Sequence, residues 1–180
     1  MKAILVIDMQ KISFTPKTPR FDTEGVVKRI NLLTEFFRKN GDKVIFIQHD
    51  GAKQNECLPG TEEWEILDPL NVLKEDCIIS KTANDSFYNS KLDEFLIASE
   101  VNDIVITGCA TDFCVDSTIK SALTRNYNIT VISNGHTTAS RHGISAQMVI
   151  DLYNWIWSEM IPVNEKIKVV RFEDYIPQLV

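Results

Sequence analysis

The sequence predicts an α/β protein of three layers, a parallel sheet of six strands covered by helices on both faces. Two observations carry this. Short β-branched runs alternate along the chain with longer segments of helical period, the pattern of repeated strand–helix–strand units. The length of 180 residues, with 44% hydrophobic content, suits one well-buried core, so residues 1–180 read as a single domain.

The strands are expected at 3–7, 43–48, 76–80, 103–107, 128–133 and 167–171. Between the first two, a helix over 23–39 sets Val26, Val27, Ile30, Leu33 and Phe37 on one face, opens on Asp and Thr and stops at Asn40-Gly41. A helix over 90–98 repeats Leu92, Phe95 and Leu96, and one over 112–125 buries Val115, Ile119, Ala122 and Leu123. The helix over 144–160 is apolar around most of its girth, with Met148, Trp155 and Trp157 beyond the inner stripe. That surplus predicts a homo-oligomer, a dimer or tetramer. The stretch 50–69, with Gly51, Pro59, Gly60 and Pro69 and no sustained period, is longer than an ordinary connection and reads as a functional loop.

Charge and composition remove several function classes. The 19 basic and 25 acidic residues are interleaved, giving a net charge of -6 and no basic stripe to track phosphates, so nucleic acid is not an expected partner. The first apolar run is only five residues long and ends at Asp8, too short for a signal segment or a membrane span. A cytoplasmic protein without a membrane partner is expected. The four cysteines, Cys57, Cys77, Cys109 and Cys114, lack the short paired spacings of a zinc site, and a domain of this size folds without disulfides.

Three reactive residues stand at carboxyl ends of the expected strands. Asp8 closes the first, Lys81 closes the third, and Cys114 lies just beyond the fourth at a helix start. In open parallel sheets ligands bind in the crevice beyond those ends, where strand order reverses. An ordinary cysteine is mostly protonated at neutral pH. A helix N-terminus and a nearby ammonium favour the thiolate, and about 2 to 3 kcal/mol of such stabilisation makes it the major species. Asp8 is then placed to accept the thiol proton and return it to a leaving group. Backbone N–H groups of the same turn point at a developing oxyanion.

The residues that carry this chemistry resemble a known family. The segment Asp103-Ile-Val-Ile-Thr-Gly-Cys-Ala-Thr-Asp-Phe-Cys114-Val-Asp-Ser-Thr-Ile119 is similar to the nucleophile segment of the isochorismatase-like cysteine hydrolases. Ile4-Leu-Val-Ile-Asp-Met-Gln10 resembles that family's first strand, and Ser80-Lys-Thr-Ala-Asn-Asp-Ser-Phe87 its lysine segment. The resemblance implies a Rossmann-like six-stranded sheet, the isochorismatase-like hydrolase fold, with Cys114 as nucleophile, Asp8 as proton shuttle and Lys81 as the charge between them. It further implies a cis peptide joining Cys109 to Ala110, and an oxyanion hole made by the N–H groups of Ala110 and Cys114.

The sequence departs from the nicotinamidases of that family, which carry an Asp-x-His pair after the second strand and a further His to bind a metal. Here the matching stretch reads Gln48-His-Asp-Gly51, and the chain has only three histidines, His49, His136 and His142. Neither a metal nor a cofactor is expected. Gln48-His-Asp-Gly followed by Pro59-Gly-Thr-Glu-Glu-Trp64 is more similar to a metal-free branch that includes isochorismatase-like and streptothricin-hydrolase-like proteins. Loop aromatics commonly shape such pockets, which makes Phe14, Trp64, Phe87 and Phe113 candidate substrate contacts, with Gln10, His49 and His136 beside them.

Three readings stay open at this point. One is a hydrolase of a small amide working through a Cys114 thioester. A second is an enol-ether hydrolase of the isochorismatase type. A third, of another class, is a thiol redox or non-catalytic binding protein, against which Cys109 and Cys114 stand five apart rather than in a Cys-x-x-Cys pair.

Overall fold

In the computed structural model, which describes residues 1–162 and 167–176, six strands form one sheet: β1 (Lys2–Ile7), β2 (Lys43–His49), β3 (Cys77–Lys81), β4 (Asp103–Cys109), β5 (Asn128–Thr137) and β6 (Lys168–Val170). Every pairing is parallel, and the spatial order is β3-β2-β1-β4-β5-β6. The helices are α1 (Thr23–Lys39), α2 (Leu92–Ala98), α3 (Asp116–Thr124), α4 (Ala146–Glu159) and α5 (Phe172–Tyr175).

Strand residues alternate between two cores, as the two-residue period requires. Ala3, Leu5 and Ile7 of β1 join Ile45, Ile47 and Val131 under α2, α3 and α4, where Leu96, Ile119, Ala122 and Trp157 close the layer. Ile4 and Val6 join Val44, Phe46 and Ile132 under α1 and α5, closed by Val26, Ile30, Leu33, Phe37 and Phe172. With helices on both faces, strands β1 and β4 have no polar side, which is why they read as continuous apolar runs. Strand order reverses between β1 and β4, and the crevice beyond their carboxyl ends is where the three reactive residues meet.

The α1 helix ends as its sequence requires. Asn40 N donates to Phe36 O, Gly41 N donates to Arg38 O, and Gly41 takes φ 73°, a left-handed turn that costs glycine nothing. A second glycine is set by contact. Gly108 in β4 (φ 122°) lies against β1, where an added Cβ would stand 2.2 Å from Ile7 O.

Elsewhere the structure corrects the expected boundaries. β5 runs four residues past 133, because Gly108 pairs with His136 and Cys109 with Thr137 after a register shift. The helix expected from 112 begins at Asp116, since Thr111–Val115 forms a π-turn closed by Val115 N donating to Ala110 O at 3.1 Å. α5, four residues long, is too short to show a period.

Trp157 is not part of any outer face: it is fully buried, and its indole N–H donates to Asp116 Oδ1 at 3.0 Å. The outward side of α4 instead carries Met148, Leu152 and Trp155, with Ile144 just ahead of the helix, all exposed. Among the described residues no helix is long and apolar enough to cross a membrane.

Candidate active site

Asp8 follows β1 directly, with its N–H donating to Ile47 O at 3.0 Å and a φ of 46°. Left-handed backbone is uncommon for a residue with a side chain, and such conformations collect at functional sites. Lys81, the last residue of β3, reaches the same place from two strands away. Its Nζ lies 2.7 Å from Asp8 Oδ2, and the two side chains are 0% and 8% exposed. The ammonium also donates to Ala83 O at 2.9 Å and Asn84 O at 3.4 Å. Neither Asp8 oxygen receives a well-directed hydrogen bond; Oδ2 has the Lys81 ion pair, and the equally buried Oδ1 has none.

Cys114 sits in the π-turn, half-buried, with Sγ 3.7 Å from Asn84 Oδ1. Asp8 and Lys81 both act on its sulfur through charge and short-range contact. Burial first, and then the Asp8 carboxylate, push the thiol far above its ordinary pKa, and Lys81 pulls the other way without prevailing. The sequence expectation of a thiolate favoured by the helix start and the lysine thus meets an opposing pull, burial first and the Asp8 carboxylate second, that holds the proton on sulfur. For Lys81, burial alone would lower the pKa, but the charges of Asp8 and Cys114 more than offset it, and it is raised. Both directions favour a protonated Cys114 thiol beside the Lys81–Asp8 ion pair.

The peptide joining Cys109 to Ala110 is cis. Ala110 O accepts from Phe113 N at 3.0 Å and from Val115 N at 3.1 Å. Asp112, one residue after Thr111, locks the turn from outside by accepting from Thr138 Oγ1 at 2.6 Å and Arg141 Nε at 2.8 Å.

These groups open on a cleft of about 310 Å³ lined by Asp8, Gln10, Ile12, Ser13, Arg20, His49, Glu56, Cys57, Asn84 and Cys114. It is polar: Ile12 is its one aliphatic wall. The structure thus brings Asp8, Cys114, Gln10 and His49 to the cleft, with Lys81 behind Asp8. Gln10 has little left to offer a ligand, because its Oε1 accepts from His49 N at 2.7 Å and its Nε2 donates to Trp64 O at 2.8 Å and His49 O at 3.1 Å. His49 keeps a buried, unpartnered Nδ1, and burial, followed by the charge of Lys81, lowers its pKa.

The other expected contacts lie elsewhere, each for a packing reason. Phe14 lines an apolar groove between α1 and the 67–71 loop, with Val27 and Leu32. Phe87 is buried, stacked on Tyr127 with the Arg125 guanidinium over its ring. Phe113 faces outward under Arg141. Trp64 supplies only its carbonyl, which also accepts from Gln48 Nε2 at 3.0 Å, and so fixes the loop rather than lining the cleft. His136 is fully buried, its ring nitrogens bonded to Thr111 Oγ1 at 2.8 Å and Asn154 Oδ1 at 3.0 Å. Sequence reasoning missed Arg20, Glu56 and Asn84. Asn84 lay inside the quoted lysine segment, whereas no local signal marked Arg20.

Comparison with known proteins bears on what this arrangement is. The family model of the isochorismatase domain matches residues 2–159. An isochorismatase family protein of Bacillus subtilis is 28% identical over 93% of this chain and 97% of its own length. The ureidoacrylate amidohydrolase of Caulobacter vibrioides is 28% identical over 73% of this chain and 75% of its own. A crystal structure of an isochorismatase family protein superposes with a TM-score of 0.85 at 25% identity, covering 94% of this chain and 97% of that one.

Proposed function

We propose, from the premise that this chain belongs to the isochorismatase family of hydrolases, that it is a cysteine hydrolase cleaving the C–N bond of a small amide through a thioester on Cys114. The observation that carries the reading is the buried Asp8 carboxylate, with one oxygen held by Lys81 and the other free, acting on the Cys114 sulfur. A relative named for amide hydrolysis supports the choice of bond.

The steps follow from the resting state. The Asp8 carboxylate takes the thiol proton as sulfur attacks the amide carbon, so no free thiolate has to persist between turnovers. The oxygen that gains charge faces the Ala110 and Cys114 N–H groups, and donors aimed there are each worth about 3 kcal/mol in comparable sites. Protonated Asp8 gives its proton to the departing nitrogen, the C–N bond breaks, and a thioester remains. Water then attacks it, Asp8 accepts the water proton, and the acid leaves as the thiol is restored. Lys81, 2.7 Å from Asp8 Oδ2, holds the carboxylate in place through these proton transfers.

The test is mass spectrometry of intact protein during turnover of a panel of small amides and ureas. A covalent acyl adduct on Cys114, with matching ammonia or amine release, is expected in the wild type and absent in Cys114→Ala. Release of pyruvate from an enol ether with no amine product from any amide would overturn the choice of bond.

The assembly belongs to the same reading. The outward side of α4 carries three large apolar side chains, and the helix has only Asp151 and Glu159 as charges. A second copy covers this face. Light scattering should return a multiple of 20.5 kDa that drops to one copy in Met148→Asp/Trp155→Asp; a monomeric wild type would dismiss the assembly.

A further inference from the structure

The chain has six arginines. Five of them, Arg29, Arg38, Arg125, Arg141 and Arg171, have a carboxylate within ion-pair distance. The sixth is Arg20, and it lines the cleft that contains Cys114. Its Nε donates to Ser13 O at 2.6 Å, which fixes the plane of the guanidinium. Among the described residues neither terminal nitrogen has an acceptor, and Nη1 is out of reach of solvent as well.

A cation in this state is costly for a protein to maintain without use. A buried donor without an acceptor loses its hydration and gains nothing for it. The ordinary remedy, seen at the other five arginines, is a protein carboxylate. Two carboxylates, Asp8 and Glu56, also line the cleft, yet neither lies within ion-pair distance of Arg20. The free edge of the guanidinium, with parallel N–H bonds on Nη1 and Nη2, matches the two oxygens of a planar carboxylate.

We infer that Arg20 anchors a carboxylate carried by the substrate, which makes the substrate a short-chain amide with an anionic end. The inference rests on the reading of this cleft as the active site. It also gives Arg20 an electrostatic task, because Asp8 and Glu56 would otherwise repel an anion from the cleft. The cleft volume suits a small acid amide.

The test uses binding rather than turnover, so that it stands apart from the chemistry. In the full-length Cys114→Ala protein, calorimetry compares the monoamides of malonic, succinic and glutaric acids with the corresponding diamides. At least one monoamide is expected to bind about tenfold or more tightly than its diamide, Arg20→Gln in the same background should bring that ratio to about one, and Arg20→Lys should keep part of it. Thermal melting of each variant checks the fold. Failure of every monoamide to outbind its diamide, or a preference that survives Arg20→Gln, would overturn the inference. An Arg20-dependent preference in a chain whose wild type releases pyruvate from an enol ether and no amine from any amide would leave the anchor standing and remove the amidohydrolase reading instead.

Discussion

Two polar cavities of nearly equal size flank the carboxyl ends of the central strands, and they differ in their accounts of polar atoms rather than in composition. The first, about 290 Å³, lies between α1, β5 and α4 and holds Arg29, Asn134, His136, Asn154 and Arg171. Among the described residues no buried side-chain nitrogen or oxygen in it lacks a partner: Arg29 pairs with Asp22 and donates to Asn134 O, Asn154 Nδ2 donates to Ser133 O at 2.9 Å, Asn134 and Arg171 share Glu173, and both nitrogens of His136 are used. The second is the Cys114 cleft, where Asp8 Oδ1, His49 Nδ1 and Arg20 Nη1 are buried without partners. A folded chain leaves few such groups unsatisfied unless something else is to meet them. Substitutions in the cleft should therefore strike activity, and those in the satisfied cavity should strike stability alone.

The sharpest way to break this contrast is at the sulfur. Cys114→Ala should cut turnover by about a thousandfold or more, which is about 4 kcal/mol of barrier, while the melting temperature stays close to wild type. A variant retaining a tenth of the rate would end the distinction.

Lys81 belongs to both columns. Lys81→Met leaves the buried Asp8 carboxylate without its cation and should lower stability by about 3 to 5 kcal/mol in urea titration. Asp8→Asn/Lys81→Met should recover much of that loss and none of the activity.

In the satisfied cavity the largest expected effect is a pH dependence. Burial holds His136 down at about pKa 4, against about 6.5 in the unfolded chain. Below pH 6.5 the unfolded chain takes up a proton that the native one refuses. Stability from this group is thus complete above pH 6.5 and falls as pH drops toward 4, by up to about 1.4 kcal/mol per pH unit and about 3 kcal/mol in all. Urea titrations between pH 7 and 4.5 should show a flatter pH slope in His136→Gln than in wild type, with turnover per folded molecule unchanged.

The smallest effect is at the α4 cap, where Ser145 Oγ accepts from Met148 N at 3.2 Å. Ser145→Ala should cost about 1 kcal/mol and leave turnover intact. A large loss of turnover there would show that the two cavities are coupled.

The cleft was legible in sequence where a residue's role depends on strand order. Asp8 and Lys81 end strands that periodicity locates, and Cys114 follows a third, so the crevice rule places them together. The pocket walls were not legible. Phe14, Phe87 and Phe113 were reasonable candidates by residue type, but each finds a partner surface that only the folded chain supplies: an α1 groove, Tyr127, and Arg141. Arg20 sits in an aperiodic loop, and what distinguishes it is a missing ion pair, which no local pattern encodes. The π-turn was hidden for a related reason, since Val115 continues the apolar stripe of α3 whether the turn before it closes on four residues or five.

The clamp made by Gln10 has a kinetic corollary. By holding the end of β2 and the carbonyl of Trp64 at once, that single amide anchors the wall-forming loop before any ligand arrives. A wall set in advance loses little freedom on binding, so complex formation should follow collision without a slow gating phase. Gln10→Ala would loosen the hinge between two segments far apart in sequence, and the signature to look for in stopped flow is a new unimolecular step whose rate no longer rises with ligand concentration.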